Sequence, residues 1–162
     1  MIGLDGNAKL IDFGLSSLVG EAEIQIQVSK MGAVHWKSPE YLTGGPPSFA
    51  SDVYSFAMCI IEAVSGDIPW GRSMIPAAVR FQVKKGNIPQ LPESMNDRQR
   101  SLIALMIHRE PSERVTLAFV INKLSEFALD ESANHGASQA SVLDEESEAA
   151  TEQTADEEHV PV

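Results

Sequence analysis

The sequence predicts a mainly α-helical fold that is built around one central buried helix, with a short β-hairpin at the N-terminus and a disordered acidic tail. Three observations lead to this prediction. Residues 51–66 form a largely apolar stretch without proline, an Asp-Gly-Asn turn lies between two short apolar runs near Met1, and residues 130–162 contain ten acidic residues and no lysine or arginine. Apolar residues at helical spacing indicate a buried helix, and an acidic segment without aromatic residues cannot bury enough surface to fold.

The N-terminal region is predicted to form strands. Apolar runs at residues 1–3 and 8–12 flank Asp5-Gly6-Asn7, and residues of these types tolerate the positive φ angles of a tight hairpin turn. Residues 24–28 then alternate between apolar and polar, which is typical of a short edge strand. Pro39 is expected to open a single helical turn, because proline is favoured at the first helical position.

The central helix is predicted over residues 51–66. Ser51 or Asp52 is expected to cap its first turn, and Gly66 is expected to end it in a left-handed conformation. One group of apolar residues follows the three-and-four spacing of a buried stripe, and a second group makes much of the opposite side apolar. The first group is Val53, Phe56, Ala57, Ile60, Ile61 and Val64, and the second is Met58, Cys59 and Ala63. We therefore expect this helix to be buried nearly all round.

Three more helices are predicted after the central one. Pro76 opens a helix that ends before Gly86, and Asn96 caps the next helix with Gln99 as its capping-box partner. Thr116 caps the last helix, in which apolar residues again repeat at helical spacing. The sequence thus predicts a helical protein after one hairpin.

The charge of the chain is unevenly distributed. Residues 1–129 contain 13 acidic and 12 basic residues, whereas the tail is strongly acidic. The absence of a lysine or arginine cluster beyond Lys84-Lys85 excludes a nucleic-acid-binding protein. The tail is predicted to be either a solvated spacer or an acidic docking segment.

The sequence also indicates where the protein is located. The single Cys59 cannot form an internal disulfide, which suits a reducing compartment. No window approaches the roughly 18 consecutive apolar residues of a membrane span, and the N-terminus lacks the regions of a secretion signal. We expect a soluble, cytoplasmic protein, with membrane attachment only through sequence upstream of Met1.

Five short motifs in a fixed order carry the functional information, although each alone is weak. They are Asp12-Phe13-Gly14, Trp36-Lys37-Ser38-Pro39-Glu40, Ser51-Asp52-Val53-Tyr54-Ser55-Phe56, Gly66-Asp67-Ile68-Pro69-Trp70 and Arg109-Glu110-Pro111-Ser112-Glu113-Arg114. In this order they resemble the C-terminal lobe of eukaryotic protein kinases, most closely the tyrosine-kinase-like group of serine/threonine kinases. The resemblance predicts a partial protein kinase domain over residues 1–129 and a disordered acidic tail over residues 130–162.

The resemblance implies an activity and a nucleotide site. Members of the family transfer the γ-phosphoryl group of ATP to serine or threonine hydroxyls of proteins, and in some cases to tyrosine, with Mg²⁺ as the metal ion. Asp12 would hold Mg²⁺ against the ATP phosphates, because carboxylate oxygens are ligands that Mg²⁺ prefers. Phe13 would pack between the lobes of the kinase, and Gly14 would let the backbone turn without a Cβ clash.

The resemblance also implies structural and regulatory residues. Glu40 would pair with Arg114, because a guanidinium matches a carboxylate with two parallel hydrogen bonds. Asp52 would anchor the catalytic loop on the central helix, although it could instead be a simple helix cap. Residues 15–37 would form the activation segment, whose candidate phosphorylation sites are Ser16, Ser17 and Ser29.

The sequence departs from the family pattern in ways that keep a second interpretation open. The Gly-rich loop, the strand lysine and the catalytic loop are not found, so the catalytic aspartate would precede Met1 and the N-lobe would be a missing partner. Ala33 stands where the family commonly has a hydroxyl residue. The first hypothesis is a serine/threonine kinase domain that is truncated at its N-terminus, that is expected to be inactive as an isolated chain and whose family acts on protein substrates. The alternative is a pseudokinase-like scaffold that binds a docking partner.

Overall fold

The computed structural model describes residues 1, 3–11 and 33–132, and within these residues the protein is mainly helical. The α-helices in these residues are, in chain order, α1 (Pro39–Leu42), α2 (Phe49–Ser65), α3 (Pro76–Lys85), α4 (Asp97–Met106) and α5, which covers residues 117–132. Single 3₁₀ turns lie at Val34–Trp36 and Pro111–Glu113. The predicted mainly α fold around a central helix is confirmed. The edge strand predicted at 24–28 lies outside the described residues, as does most of the acidic tail.

The chain divides into two units, Met1–Leu117 and Ala118–Val162. The first unit contains α1 to α4 and both 3₁₀ turns. In the second unit, Lys123 and Glu126 of α5 form an exposed ion pair at 2.7 Å, three residues apart on the helix. The candidate site described below belongs entirely to the first unit.

The central helix α2 begins two residues earlier than predicted. Its cap is Ser48, whose Oγ accepts a hydrogen bond from the Ser51 backbone N–H at 3.1 Å. The Oγ of Ser51 in turn accepts a hydrogen bond from the backbone N–H of Ser48 at 2.9 Å. Each serine side chain therefore bonds the backbone N–H of the other, which is a capping box. The prediction that Ser51 or Asp52 caps the helix is therefore wrong. The predicted end is confirmed, because Gly66 follows the helix with φ 71°.

Burial of α2 is one-sided rather than complete. Val53, Tyr54, Ala57, Met58 and Ile61 are buried. The opposite side is open: Phe56 is 38% and Val64 is 44% exposed, and Cys59 and Ala63 are also exposed. Among the described elements, α2 makes its most extensive contacts with the two 3₁₀ turns and α4. The prediction of burial nearly all round is wrong, because the side that carries Phe56 and Val64 is exposed to solvent.

The helices α3 and α4 have the predicted starts and caps. Pro76 is the first residue of α3, and Gly86 ends it with φ 82°. Asn96 caps α4: its side chain accepts a hydrogen bond from the Gln99 backbone N–H, and its own backbone N–H donates to the Gln99 side chain. The apolar residues Leu102, Ile103 and Met106 of α4 are buried, whereas Leu105 is 44% exposed.

A small apolar cluster joins the first 3₁₀ turn to α3. Its buried members are Val34, Val79 and Val83, and the partly buried residues that pack against them are Leu42, Trp70 and Met74. This cluster holds the segment before α1 against the helix that starts at Pro76.

The predicted N-terminal β-hairpin is not confirmed as a pair of strands. Within the described residues this region is a turn. The Gly3 N–H donates to the Asn7 carbonyl oxygen at 2.8 Å, and the Lys9 N–H donates to the Met1 carbonyl oxygen at 2.8 Å. Gly6 adopts φ 75°, as expected for the turn residue. An exposed ion pair between Lys9 and Asp5 at 3.1 Å closes the turn.

Candidate functional site

Glu40 and Arg114 form a two-pronged ion pair although 74 residues separate them in the chain. Arg114 Nη1 donates to Glu40 Oε1 at 2.7 Å, and Nη2 donates to Oε2 at 2.8 Å. Glu40 is the second residue of α1, which Pro39 opens, and Arg114 directly follows the 3₁₀ turn that Pro111 opens. Two proline-initiated turns thus present the carboxylate and the guanidinium to each other.

Arg114 also binds three backbone carbonyl groups. Its Nε donates to His108 at 2.8 Å, Nη1 donates to Ala50 at 2.9 Å and Nη2 donates to Arg109 at 3.3 Å. The guanidinium lies 5.1 Å from the centre of the Tyr54 ring, close enough for a cation–π contact. One side chain therefore ties α1, the start of α2 and the segment after α4 together.

The ion pair is shielded from solvent on the arginine side. The Arg114 side chain is 0% exposed and that of Glu40 is 23% exposed. Burial raises the pKa of Glu40, but the hydrogen bonds, chiefly those from Arg114, outweigh it and hold that pKa below its ordinary value. Burial also raises the pKa of Tyr54 to about 12. The pair can hold the structure together, and neither of its members is free to transfer a proton.

Asp52 lies in the first turn of α2, apart from the ion pair. It is exposed, and the structure gives its side chain no hydrogen bond within the described part of the chain. Partial burial without a compensating donor raises the pKa of this carboxyl group. Asp52 is thus a carboxylate that is available to accept hydrogen bonds from another segment.

The residues just before α1 make contacts that sequence reasoning missed. Trp36 Nε1 donates to Glu62 Oε2 of α2 at 2.8 Å, and His35 Nε2 donates to the Met74 carbonyl oxygen at 3.1 Å. The His35 side chain is half-buried. No local signal could have identified these pairs, since the partners lie 26 and 39 residues apart.

Several predicted site residues lie outside the described residues. These are Asp12, Phe13, Gly14, Ser16, Ser17 and Ser29. Among residues 1, 3–11 and 33–132, no cluster of three or more His, Cys, Asp or Glu side chains could hold a metal ion. In the same ranges, no helix is both long and apolar enough to cross a membrane.

Comparison with known proteins shows which family the chain is similar to. The family model described as protein tyrosine and serine/threonine kinase matches residues 1–124. A Dictyostelium discoideum protein named as a probable serine/threonine-protein kinase is 34% identical over 125 residues, which is 76% of this chain and 8% of that protein. Mitogen-activated protein kinase kinase kinase 5 of Arabidopsis thaliana is 30% identical over 129 residues, which is 75% of this chain and 17% of that protein.

The chain thus spans less than a quarter of the length of these relatives. A third relative, mitogen-activated protein kinase kinase kinase 2 of Arabidopsis thaliana, is 29% identical over 136 residues, which is 79% of this chain and 21% of that protein. The family match covers the whole segment that contains Glu40, Asp52 and Arg114. The chain belongs to the protein tyrosine and serine/threonine kinase family.

Proposed function

We propose that the protein containing this chain transfers the γ-phosphoryl group of ATP to serine or threonine hydroxyls of protein substrates. The observation that supports this most directly is the match of residues 1–124 to the kinase family model, and this segment contains the ion pair of Glu40 and Arg114 at 2.7 and 2.8 Å. In this proposal residues 1–129 carry part of a kinase domain, and residues 130–162 form an acidic extension that interacts with solvent or a partner.

The proposed roles of individual residues follow the resemblance. Asp12 would supply the carboxylate that binds Mg²⁺, with Phe13 and Gly14 shaping the adjoining backbone. Asp52 would accept hydrogen bonds from a catalytic loop, and the exposed position of its carboxylate is compatible with that role. The candidate phosphorylation sites remain Ser16, Ser17 and Ser29.

The proposed location is the cytoplasm. Cys59 is the only cysteine of the chain and is a free thiol, which is compatible with a reducing compartment. ATP and protein substrates for phosphorylation are both available there.

Phosphoryl transfer by the complete product of the gene tests this proposal. The protein is incubated with Mg²⁺, γ-labelled ATP and a basic protein substrate, and the label on serine and threonine is measured. Asp12→Asn is expected to reduce transfer at least about a hundredfold, because the metal loses a charged ligand. Asp5→Asn is the matched control, since Asp5 is an exposed turn residue paired with Lys9. Equal transfer by the native protein and Asp12→Asn would refute the proposed role of Asp12.

A second function is a binding module without phosphoryl transfer, and Ala33 is the observation in its favour. Ala33 has no hydroxyl to offer a catalytic aspartate, and it adopts φ 55° and ψ 29° immediately before the first 3₁₀ turn. If the complete gene product neither binds Mg²⁺-ATP in calorimetry nor transfers phosphate, the binding module replaces the kinase proposal. Saturable Mg²⁺-dependent ATP binding together with transfer excludes the binding module as the sole function.

A further inference from the structure

A groove of about 510 Å³ lies in the first unit, away from the ion pair of Glu40 and Arg114. Its walls come from the C-terminal half of α2, the turn at residues 67–74 and the segment at residues 88–93. Ile61 and Pro69 form a buried apolar floor, whereas Gln90 and Glu93 are exposed on the rim. The groove is therefore apolar inside and polar at its edge, as ligand sites usually are.

Trp70 lines the groove with the outer part of its side chain. Its indole Nε1 is shielded from solvent and has no acceptor within the described part of the chain. The residue also has φ 74°, in the left-handed region that bulky side chains seldom adopt, and Gly71 follows with φ 79°. A buried N–H without a partner is uncommon in folded proteins, but this atom is closed to water and therefore also to a ligand in the groove.

The segment at 88–91 offers free backbone groups along the same groove. Ile88 and Leu91 each precede a proline, which favours extended backbone at both positions. The N–H groups of Ile88, Gln90 and Leu91 donate to no residue in the ranges that the structure describes. Alternate residues of an extended segment present N–H and C=O on one edge, so Ile88 and Gln90 share an edge where another extended chain can pair with them, and Leu91 faces the other edge.

The charges on the rim indicate which side chain a partner would carry. Asp67 is already bound by Arg72, whose Nε donates to Asp67 Oδ1 at 2.8 Å. Glu93 is exposed and has no cationic partner among the described residues. A positively charged side chain next to an apolar one would therefore complement the rim and the floor together.

We infer that this groove binds an extended peptide segment of another protein, with an apolar side chain on the floor and a lysine or arginine near Glu93. A helix has no free backbone groups to pair with residues 88–91, and a small apolar molecule would leave the exposed Glu93 without a cation. The inference goes beyond phosphoryl transfer, because it requires neither nucleotide nor Asp12.

Fluorescence anisotropy with a defined peptide tests this inference on the full 162-residue chain. The probe is fluorescein-Gly-Ala-Gln-Val-Ala-Leu-Ala-Arg-Gly, which contains no hydroxyl residue and is used without nucleotide or Mg²⁺. Saturable binding is expected. Gln90→Pro removes one backbone N–H while keeping the segment extended, and it should weaken binding about fivefold or more. Glu93→Gln should weaken binding about two- to fivefold, the size of an exposed ion pair.

Matched controls distinguish this site from adventitious binding. Glu110→Gln removes an exposed carboxylate outside the groove and should leave the dissociation constant unchanged. A probe with glutamine in place of arginine should bind Glu93→Gln and the native chain equally. If circular dichroism shows that the Gln90→Pro variant does not fold, a probe with N-methylated leucine tests the same backbone pairing. No saturable binding up to millimolar concentrations would overturn the inference. The inference would also be overturned if neither Glu93→Gln nor the backbone test changed the dissociation constant.

Discussion

Substituting Glu40 by glutamine removes the negative charge from the ion pair with Arg114 while keeping the length of the side chain. The Arg114 side chain is 0% exposed, so its charge would remain buried without a counter-ion. Removing one partner of a buried ion pair typically costs about 3–5 kcal/mol in the free energy of unfolding. Three carbonyl groups would still bind the guanidinium, and Glu40 is 23% exposed, so we expect a cost at or just below the lower limit of that range, about 2–3 kcal/mol.

Urea denaturation followed by circular dichroism at 222 nm measures this cost at pH 7. Glu113→Gln is the matched control, because Glu113 is an exposed carboxylate next to Arg114, and it should change the free energy of unfolding by less than about 0.5 kcal/mol. Arg114→Met combined with Glu40→Gln completes a double-mutant cycle. A loss below about 0.5 kcal/mol for Glu40→Gln would show that the ion pair does not hold the first unit together.

The stabilisation by the ion pair of Glu40 and Arg114 should depend on pH. Arg114 lowers the pKa of Glu40 from its ordinary value of 4.5, so the folded state binds fewer protons than the unfolded state near that pH. The stabilisation is therefore fully present above pH 4.5 and is lost as the pH falls through the pKa of the folded state. The difference in unfolding free energy between the native chain and Glu40→Gln should shrink over this window. A difference that stays constant from pH 7 to pH 3 would contradict the assigned cause.

Three further predictions concern local structure in the first unit, and each is measured by urea denaturation. Ser48→Ala should cost about 1 kcal/mol, because Ser48 caps α2, and an unchanged stability would argue against the capping box. Trp36→Phe should cost about 1–2 kcal/mol by removing the N–H that donates to Glu62, whereas the same change in a Glu62→Gln background should cost less. Ala33→Gly should stabilise the protein by about 0.5–1 kcal/mol, because glycine adopts φ 55° without strain, and a clear loss would contradict the left-handed assignment.

The sequence predicted the elements whose signals are local. Pro76 and Gly86 bound α3, and Asn96 with Gln99 caps α4, because these residues act through their own backbone geometry or through a partner three residues away. The cap of α2 was misplaced because Ser48 and Ser51 are both favourable capping residues. Only the reciprocal hydrogen bonds between them show which one lies outside the helix.

Other features of the first unit depend on contacts that a single sequence does not encode locally. Apolar residues surround much of α2, but periodicity alone does not reveal that Phe56 lies on the side left open by the neighbouring elements. The positive φ angles of Ala33 and Trp70 also have no sequence signal, since the residues that favour this region are glycine and asparagine. The pairing of Glu40 with Arg114 was expected only from the family resemblance.

The ion pair of Glu40 and Arg114 bears on the fold more than on phosphoryl transfer. Arg114 binds one carboxylate and three carbonyl groups from separate parts of the first unit, and losing these bonds would leave a buried charge whether or not the protein transfers phosphate. A kinase-derived scaffold would therefore need the pair as much as an active enzyme does. The two proposed functions instead differ at Asp12 and Ala33, since a metal ligand and a hydroxyl near the catalytic aspartate matter only to an enzyme. Assays of Asp12→Asn consequently separate enzyme from scaffold, whereas Glu40→Gln tests the fold that both require.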